Sequence, residues 1–190
     1  MKEEIKKRMQ AAADVKLKLV QDTELQERMA LAVVLVSGAF ESGRRVYFCG
    51  NGGSAADAQH LAAELTGRFY KNRKALPAEA LHCNTSYLTA LANDFGYNEI
   101  YAHLVDGIMQ EGDVLLGLST SGNSPNIVKA FEKAKEKGVS TIGFTGESGG
   151  KLKPLSDLLL NVPSLDTPRI QECHILLGHI LCELVEAKLF

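Results

Sequence analysis

Two apolar runs of strand character each end in a turn of small, hydroxyl-bearing residues that opens a helix. Val46-Tyr47-Phe48-Cys49 leads into Gly50-Asn51-Gly52-Gly53-Ser54, and Val114 to Leu118 leads into Ser119-Thr120-Ser121-Gly122-Asn123-Ser124. A strand–turn–helix junction of this kind gathers backbone N–H groups, hydroxyls and the positive end of a helix dipole at one point. Two of them in one chain predict a phosphosugar site at the carboxyl edge of a parallel sheet. Neither turn is a Walker loop, because no Gly-Lys-Ser/Thr follows. Gly50-Asn51-Gly52 also lacks the third glycine of the dinucleotide fingerprint. Hydroxyls and amides without a lysine favour a phosphomonoester over a nucleoside triphosphate.

The rest of the chain supplies the elements such a sheet needs. Residues 3–21 and 23–42 have helical spacing, with Leu31, Val34 and Leu35 on a repeating apolar face. Asp22-Thr23 offers a cap between them, and Gly43 a stop. Strands are predicted at Val46–Cys49, near Ala78–Leu81, and at Val114–Leu118, Thr141–Phe144 and Leu158–Val162. Helices are predicted over Ser54–Leu65, Thr85–Ala92, Asn98–Met109, Pro125–Lys137 and Arg169–Lys188. Alternation of strand and helix indicates an α/β domain with a mainly parallel sheet. At 190 residues, with no linker or low-complexity tract, one domain over 1–190 is expected, residues 1–43 forming a helical arm. The arm and the apolar last helix carry more hydrophobic surface than one small sheet requires. Burial between subunits accounts for the excess, and covering the sheet is the simpler alternative.

Charge and cysteine content narrow the class. A formal net charge of −2 gives no general attraction to nucleic acid or acidic membrane. The first residues have charges without an apolar core after them, unlike a secretory signal. No uncharged apolar run reaches the roughly 20 residues of a membrane span. The four cysteines are scattered with no Cys-x-x-Cys, which does not look like a disulfide framework and points to a reducing cytoplasm.

Several side chains are candidates for chemistry. His60 and Glu64 are four residues apart on the helix that Ser54 opens, hence on one face. Such a pair can bind a metal or share proton transfer, or can simply form a surface hydrogen bond. The last helix carries Gln171, Glu172, His174 and His179, and polar groups on so apolar a helix need partners. For His174 a packed, hydrogen-bonded role is the simpler reading. Asn93-Asp94-Phe95-Gly96 reads as a turn following a helix, with substrate hydroxyl binding as the functional option.

Together, Gly50–Ser54, Ala58–Arg68, Asn93–Gly96, Glu111–Gly117 with Ser119–Ser124, and Arg169–Glu172 resemble the bacterial sedoheptulose 7-phosphate isomerases of the sugar isomerase (SIS) domain family. The resemblance runs over nearly the whole chain. It implies a three-layer domain with a central parallel five-stranded sheet flanked by helices. It also implies conversion of D-sedoheptulose 7-phosphate to D-glycero-D-manno-heptose 7-phosphate through an enediol, the first step toward the activated heptoses of the lipopolysaccharide core. A cytoplasmic homotetramer with sites between subunits and one zinc per subunit is implied as well. Carried over by position, Asn51, Gly52, Gly53, Glu64, Asn93, Asp94, Ser119, Thr120, Ser121, Ser124 and Gln171 would bind substrate. Glu64 would be the general base and His179 the general acid. His60, Glu64, Gln171 and His179 would be the zinc ligands. Gln171 and His179 are eight residues apart, roughly 12 Å along one helix, so both reach one metal only by converging side chains or from different subunits. Pro168 stands where some members carry a polar residue, and the loop Pro163–Pro168 is left out of the expected site. Glu64 and His179 argue against the family's non-catalytic branch, which binds the replication initiator and tends to lose both groups. The arm lacks a basic recognition helix, which argues against a sugar-sensing regulator. An isomerase for a pentose or hexose phosphate is not excluded by the loops alone.

Overall fold

A computed structural model describes residues 1–190, ordered as α1 (Lys2–Gln21), α2 (Thr23–Glu41), β1 (Val46–Gly50), α3 (Gly53–Thr66), β2 (Ala78–Ala80), α4 (Thr85–Phe95), α5 (Ile100–Ile108), β3 (Val114–Leu118), α6 (Pro125–Glu136), β4 (Ser140–Thr145), β5 (Leu158–Asn161) and α7 (Thr167–Leu189). Short stretches of 3-10 helix, Tyr97–Glu99 and Gly150–Leu155, precede α5 and β5. The five strands form one sheet in the order β2-β1-β3-β4-β5, and every pairing is parallel.

The alternation of side chains along each strand builds the layers. On one face Val46, Phe48, Val114, Leu116, Ile142 and Phe144 pack with buried residues of α2, α3 and α7. On the other, Tyr47, Cys49 and Leu115 pack with α5 and α6. Gly117 leaves room on that second face for Phe131, whose ring lies within 2.3 Å of where a Cβ would stand. The result is the expected three-layer sandwich. The arm departs from it: along α1 only Val15 and Leu19 are buried.

Most element ends follow from local chemistry. Asp22 caps α2, its carboxylate accepting the Leu25 N–H at 2.9 Å. The first and last helices run slightly beyond the expected ends, as fraying boundaries allow. One expectation needs correction. Asn93, Asp94 and Phe95 are not a turn but the last turn of α4, which Gly96 ends at φ +88°. The Gly96 N–H bonds the Ala92 carbonyl, so the residue pair typical of turns sits inside the helix that the following glycine terminates.

Candidate active site

The carboxyl ends of β1 and β3 are adjacent, so both hydroxyl-rich turns open on the same edge. In the second turn the Ser119 and Ser124 hydroxyls are 2.9 Å apart. The Asn123 N–H bonds Ser121 Oγ at 3.1 Å, while its side chain spans from the Ser121 carbonyl to the Lys151 N–H. The N–H groups of Thr120, Ser121 and Ser124 take no partner within the chain. Gly122 stands at φ +65°, and a Cβ there would lie 2.1 Å from the Gly149 carbonyl oxygen. Only glycine lets the two loops touch backbone to backbone.

A cleft of about 280 Å³ runs beside this turn, lined among others by Thr120, Ser121, Ser164, Leu165 and Thr167. The loop Pro163–Pro168, left out of the expected site, borders this cleft and with it the second turn. Its place could not be read beforehand because the short return from β5 to α7 has no periodic pattern to orient it.

The first turn is held by side chains. Asn51 exchanges two amide hydrogen bonds with Asn126, Nδ2 to Oδ1 at 2.9 Å and 2.8 Å, and accepts a third from the Tyr97 hydroxyl at 3.0 Å. Tyr101 donates to the Gly50 carbonyl at 2.5 Å, and burial pushes its phenol pKa up, so it remains a donor.

The helices that leave this edge carry the ionisable groups. α3 and α7 run in the same direction and touch along their length: Gln171 packs against Gly53, Gly178 against Leu61, and the Cys182 thiol donates to the Leu61 carbonyl at 3.8 Å. A Cβ on Gly178 would meet Leu61 Cδ1 at 2.4 Å, so this glycine sets how closely the helices approach. Across that seam His60 Nε2 faces His179 Nε2 at 2.9 Å, and Glu64 Oε1 lies 3.3 Å from His60 Nε2. Ligand atoms of His60, Glu64 and His179 all fall within 4.8 Å of one another. Two imidazole nitrogens and a carboxylate oxygen converging on one point are a donor set that suits zinc. The Glu64 side chain is 24% exposed, a partly desolvated carboxylate. Gln171 sits elsewhere on this seam, its amide 2.9 Å from the Cβ position of Gly53, at the head of α3. Asn93 and Asp94 are exposed and bond to each other at 2.8 Å. His174 is the packed histidine expected: fully buried, it donates from Nε2 to the Thr145 carbonyl at 3.1 Å. Burial lowers its pKa to about 4, only partly offset by that carbonyl.

Three contributors escaped the sequence. Asp57, one turn before His60, is half-buried; desolvation raises its pKa, while His60 and His179 act to lower it. Its signal was present, as the first member of an i, i+3, i+7 series with His60 and Glu64. Asn126 gave none, being the second residue of an ordinary helix. Glu186 gave none either, as a carboxylate near the end of the last helix. It is buried with Arg73, which it meets at 2.8 Å, both side chains being 2% exposed. Its oxygens also accept the N–H groups of Phe69, Tyr70 and Lys71. Burial alone would raise its pKa, but those three amides and Arg73 prevail and bring it down to about 2. Arg73 in turn donates to the Glu64, Leu65 and Gly67 carbonyls, closing the end of α3. Phe69, on the loop so held, lies 5.9 Å from the His179 ring.

A sequence profile described as SIS domain matches residues 9–146. A phosphoheptose isomerase of Clostridium acetobutylicum is 50% identical over 190 residues, covering 100% of this chain and 97% of the relative. One from Helicobacter pylori (strain Shi470) is 56% identical over 162 residues, 85% of this chain and 84% of the relative. Among solved structures, phosphoheptose isomerase from Neisseria gonorrhoeae superposes with a TM-score of 0.92 at 39% identity, over 98% of both chains. That from Francisella tularensis gives 0.93 at 34% identity, over 97% of both. With full-length identity at this level and the same three-layer fold, the chain belongs to the phosphoheptose isomerases of the SIS domain family.

Proposed function

We propose that this protein interconverts D-sedoheptulose 7-phosphate and D-glycero-D-manno-heptose 7-phosphate. The observation that carries this is the meeting of Glu64 and His179 with His60, from helices far apart in the chain, in a relative of phosphoheptose isomerases. The serine turn, with Ser119, Thr120, Ser121 and Ser124, would hold the phosphate through hydroxyls and free N–H groups. Asn51, Gly52, Gly53 and Gln171, gathered at the head of α3, would hold the sugar, with Asn93 and Asp94 completing the set.

The reaction moves one proton between neighbouring carbons and one between their oxygens. Glu64 removes a proton from C1 while His179 gives one to the carbonyl oxygen at C2, leaving an enediol. Glu64 then returns its proton to C2, and His179 takes the proton from the oxygen on C1, which becomes the aldehyde carbonyl. His60, Glu64 and His179 would hold zinc, and Gln171 would join them only from another subunit, since its own amide sits at Gly53. Bound zinc would polarise the carbonyl and stabilise negative charge developing on oxygen. A carboxylate has two oxygens, so Glu64 can serve a metal with one and the carbon proton with the other.

A homotetramer with sites between subunits is part of the same proposal. Ile5, Met9, Leu17, Val20, Leu31 and Val34 stand exposed along α1 and α2, an apolar face suited to a second copy. Light scattering that returned a monomer would remove this part. A cytoplasmic setting agrees with four free cysteines, and no helix is long and apolar enough to cross a membrane. The flux would feed activated-heptose synthesis. The non-catalytic reading as a binder of the replication initiator has no observation in its favour here.

The test is direct: incubate the protein with sedoheptulose 7-phosphate, assay heptose 7-phosphate, and repeat with Glu64→Gln and His179→Ala. Each variant should lose about two to four orders of magnitude in kcat, the usual worth of a positioned acid or base. A folded but inactive wild type, or full activity in Glu64→Gln, would overturn the assignment.

A further inference from the structure

The hydrogen bonds around Asn51 determine which way its amide faces. They start from a group with no choice. The Ile127 backbone N–H can only donate, and it is shared between the Ser124 carbonyl at 3.1 Å and Asn126 Oδ1 at 3.0 Å, where an amide NH2 would face it donor to donor. That fixes the Asn126 amide, which is 2% exposed. The same oxygen accepts from Asn51 Nδ2 at 2.9 Å, and Asn126 Nδ2 donates to Asn51 Oδ1 at 2.8 Å. The Tyr97 hydroxyl adds a second donor to Asn51 Oδ1 at 3.0 Å. A carbonyl oxygen has two lone pairs and an amide nitrogen two hydrogens. Both acceptor sites of Asn51 are therefore filled and one of its two N–H bonds is taken. A single N–H remains, and the planarity of the amide points it away from Asn126.

We propose that Asn126 and Tyr97 are positioning residues that make Asn51 a donor-only group, aimed at the substrate oxygen that gains negative charge as the enediol forms. This rests on the isomerase reading and on Asn51 as a substrate contact, and adds what the contact does. A free asparagine can turn its oxygen toward a sugar hydroxyl and bind ground state and transition state alike. One locked with its N–H outward gives little to a neutral hydroxyl and more to an oxyanion, and it needs no reorganisation when charge appears. The lock also joins the two phosphosugar turns, since Asn51 lies on the first and Asn126 two residues after Ser124.

Asn126→Asp tests this with almost no change of shape. It keeps an acceptor for the Ile127 N–H and for Asn51 Nδ2 but places a second oxygen against Asn51 Oδ1, so the amide loses its preference. With sedoheptulose 7-phosphate, kcat should fall about 30-fold, less than the loss of a whole oxyanion donor, while KM changes by less than about threefold. A hydroxamate analogue of the enediolate should bind about 30-fold more weakly, and the reduced sugar phosphate, a heptitol 7-phosphate, nearly as before. Tyr97→Phe, at a half-exposed residue where folding is not at stake, should lower kcat about threefold with the same pattern. Equal weakening of both ligands, or unchanged kcat in both variants, overturns the inference. Inactivity of the wild type would instead refute the isomerase assignment, so the two failures are separate.

Discussion

Replacing Glu186 by glutamine changes one atom and removes the anchor of the loop beneath the site. Oε1 accepts from the Phe69 N–H and from Arg73 Nε, and Oε2 from the Tyr70 and Lys71 N–H groups. Whichever oxygen becomes NH2, two donors lose their acceptor and face another donor. A buried donor left without a partner costs about 1–3 kcal/mol, and breaking a buried ion pair about 3–5 kcal/mol. Tyr70 and Lys71 are exposed, so water relieves part of this, and about 3 kcal/mol is the working figure. For a chain of this size that is a drop in Tm of roughly 6–12 °C. The pH dependence carries a second signature. The Glu186 pKa is depressed in the fold to about 2, so its stabilisation is complete above the ordinary carboxylate range and disappears as pH falls toward that value. The Tm gap between wild type and Glu186→Gln should therefore be widest near neutral pH and shrink steadily from pH 5 downward. Calorimetry at fixed protein concentration measures both. A variant within about 1 °C of wild type at neutral pH, or a gap indifferent to pH, would refute the reasoning. Activity gives a third reading: with Arg73 loosened from the Glu64 and Leu65 carbonyls and Phe69 from His179, kcat should fall as well.

Three further outcomes are expected. His174 is kept neutral by burial, its folded pKa lowered to about 4, so stability should decline as pH drops from about 6.5 to 4. His174→Leu should flatten that part of the Tm–pH curve, and an unchanged slope would count against the buried imidazole. Gly178→Ala forces a methyl into Leu61 and should cost about 1–3 kcal/mol while parting His60 from His179. Calorimetry together with kcat checks it, and a neutral variant would mean the seam is slack. Added zinc should raise Tm of the wild type but not of His60→Ala, by binding the native state alone; equal response in both would remove these ligands.

The turns were readable because their chemistry is local. Small residues, hydroxyls and a preceding apolar run sit side by side, and strand–turn–helix geometry does the rest. His60 and Glu64 were readable through helical spacing, and the five strands through β-type apolar runs. What escaped depends on contacts between distant segments. Asn126 looks like any residue of a first helical turn until Asn51 is brought opposite. Glu186 reads as a solvated end until Arg73 and three amides surround it. The Asn93-Asp94 pair was misjudged because its turn propensity is real, but Gly96 already supplied the stop. Gln171 and His179 looked incompatible on one helix, and the structure separates them: one at the head of α3, the other across from His60.

The parallel course of α3 and α7 has a consequence for sugar size. From Gly53 to His60 the helical rise is about 10 Å, and from Gln171 to His179 about 12 Å. If the groups at the head of α3 hold the sugar while proton transfer happens at imidazoles two turns further on, hydrogen-bonded backbone that cannot stretch keeps the two sets apart within one protomer, and a single sugar meets both only where a second copy brings its imidazoles to this edge. Carbon-chain length would then be selected by how two copies are spaced, and retuning it would demand a change at their contact.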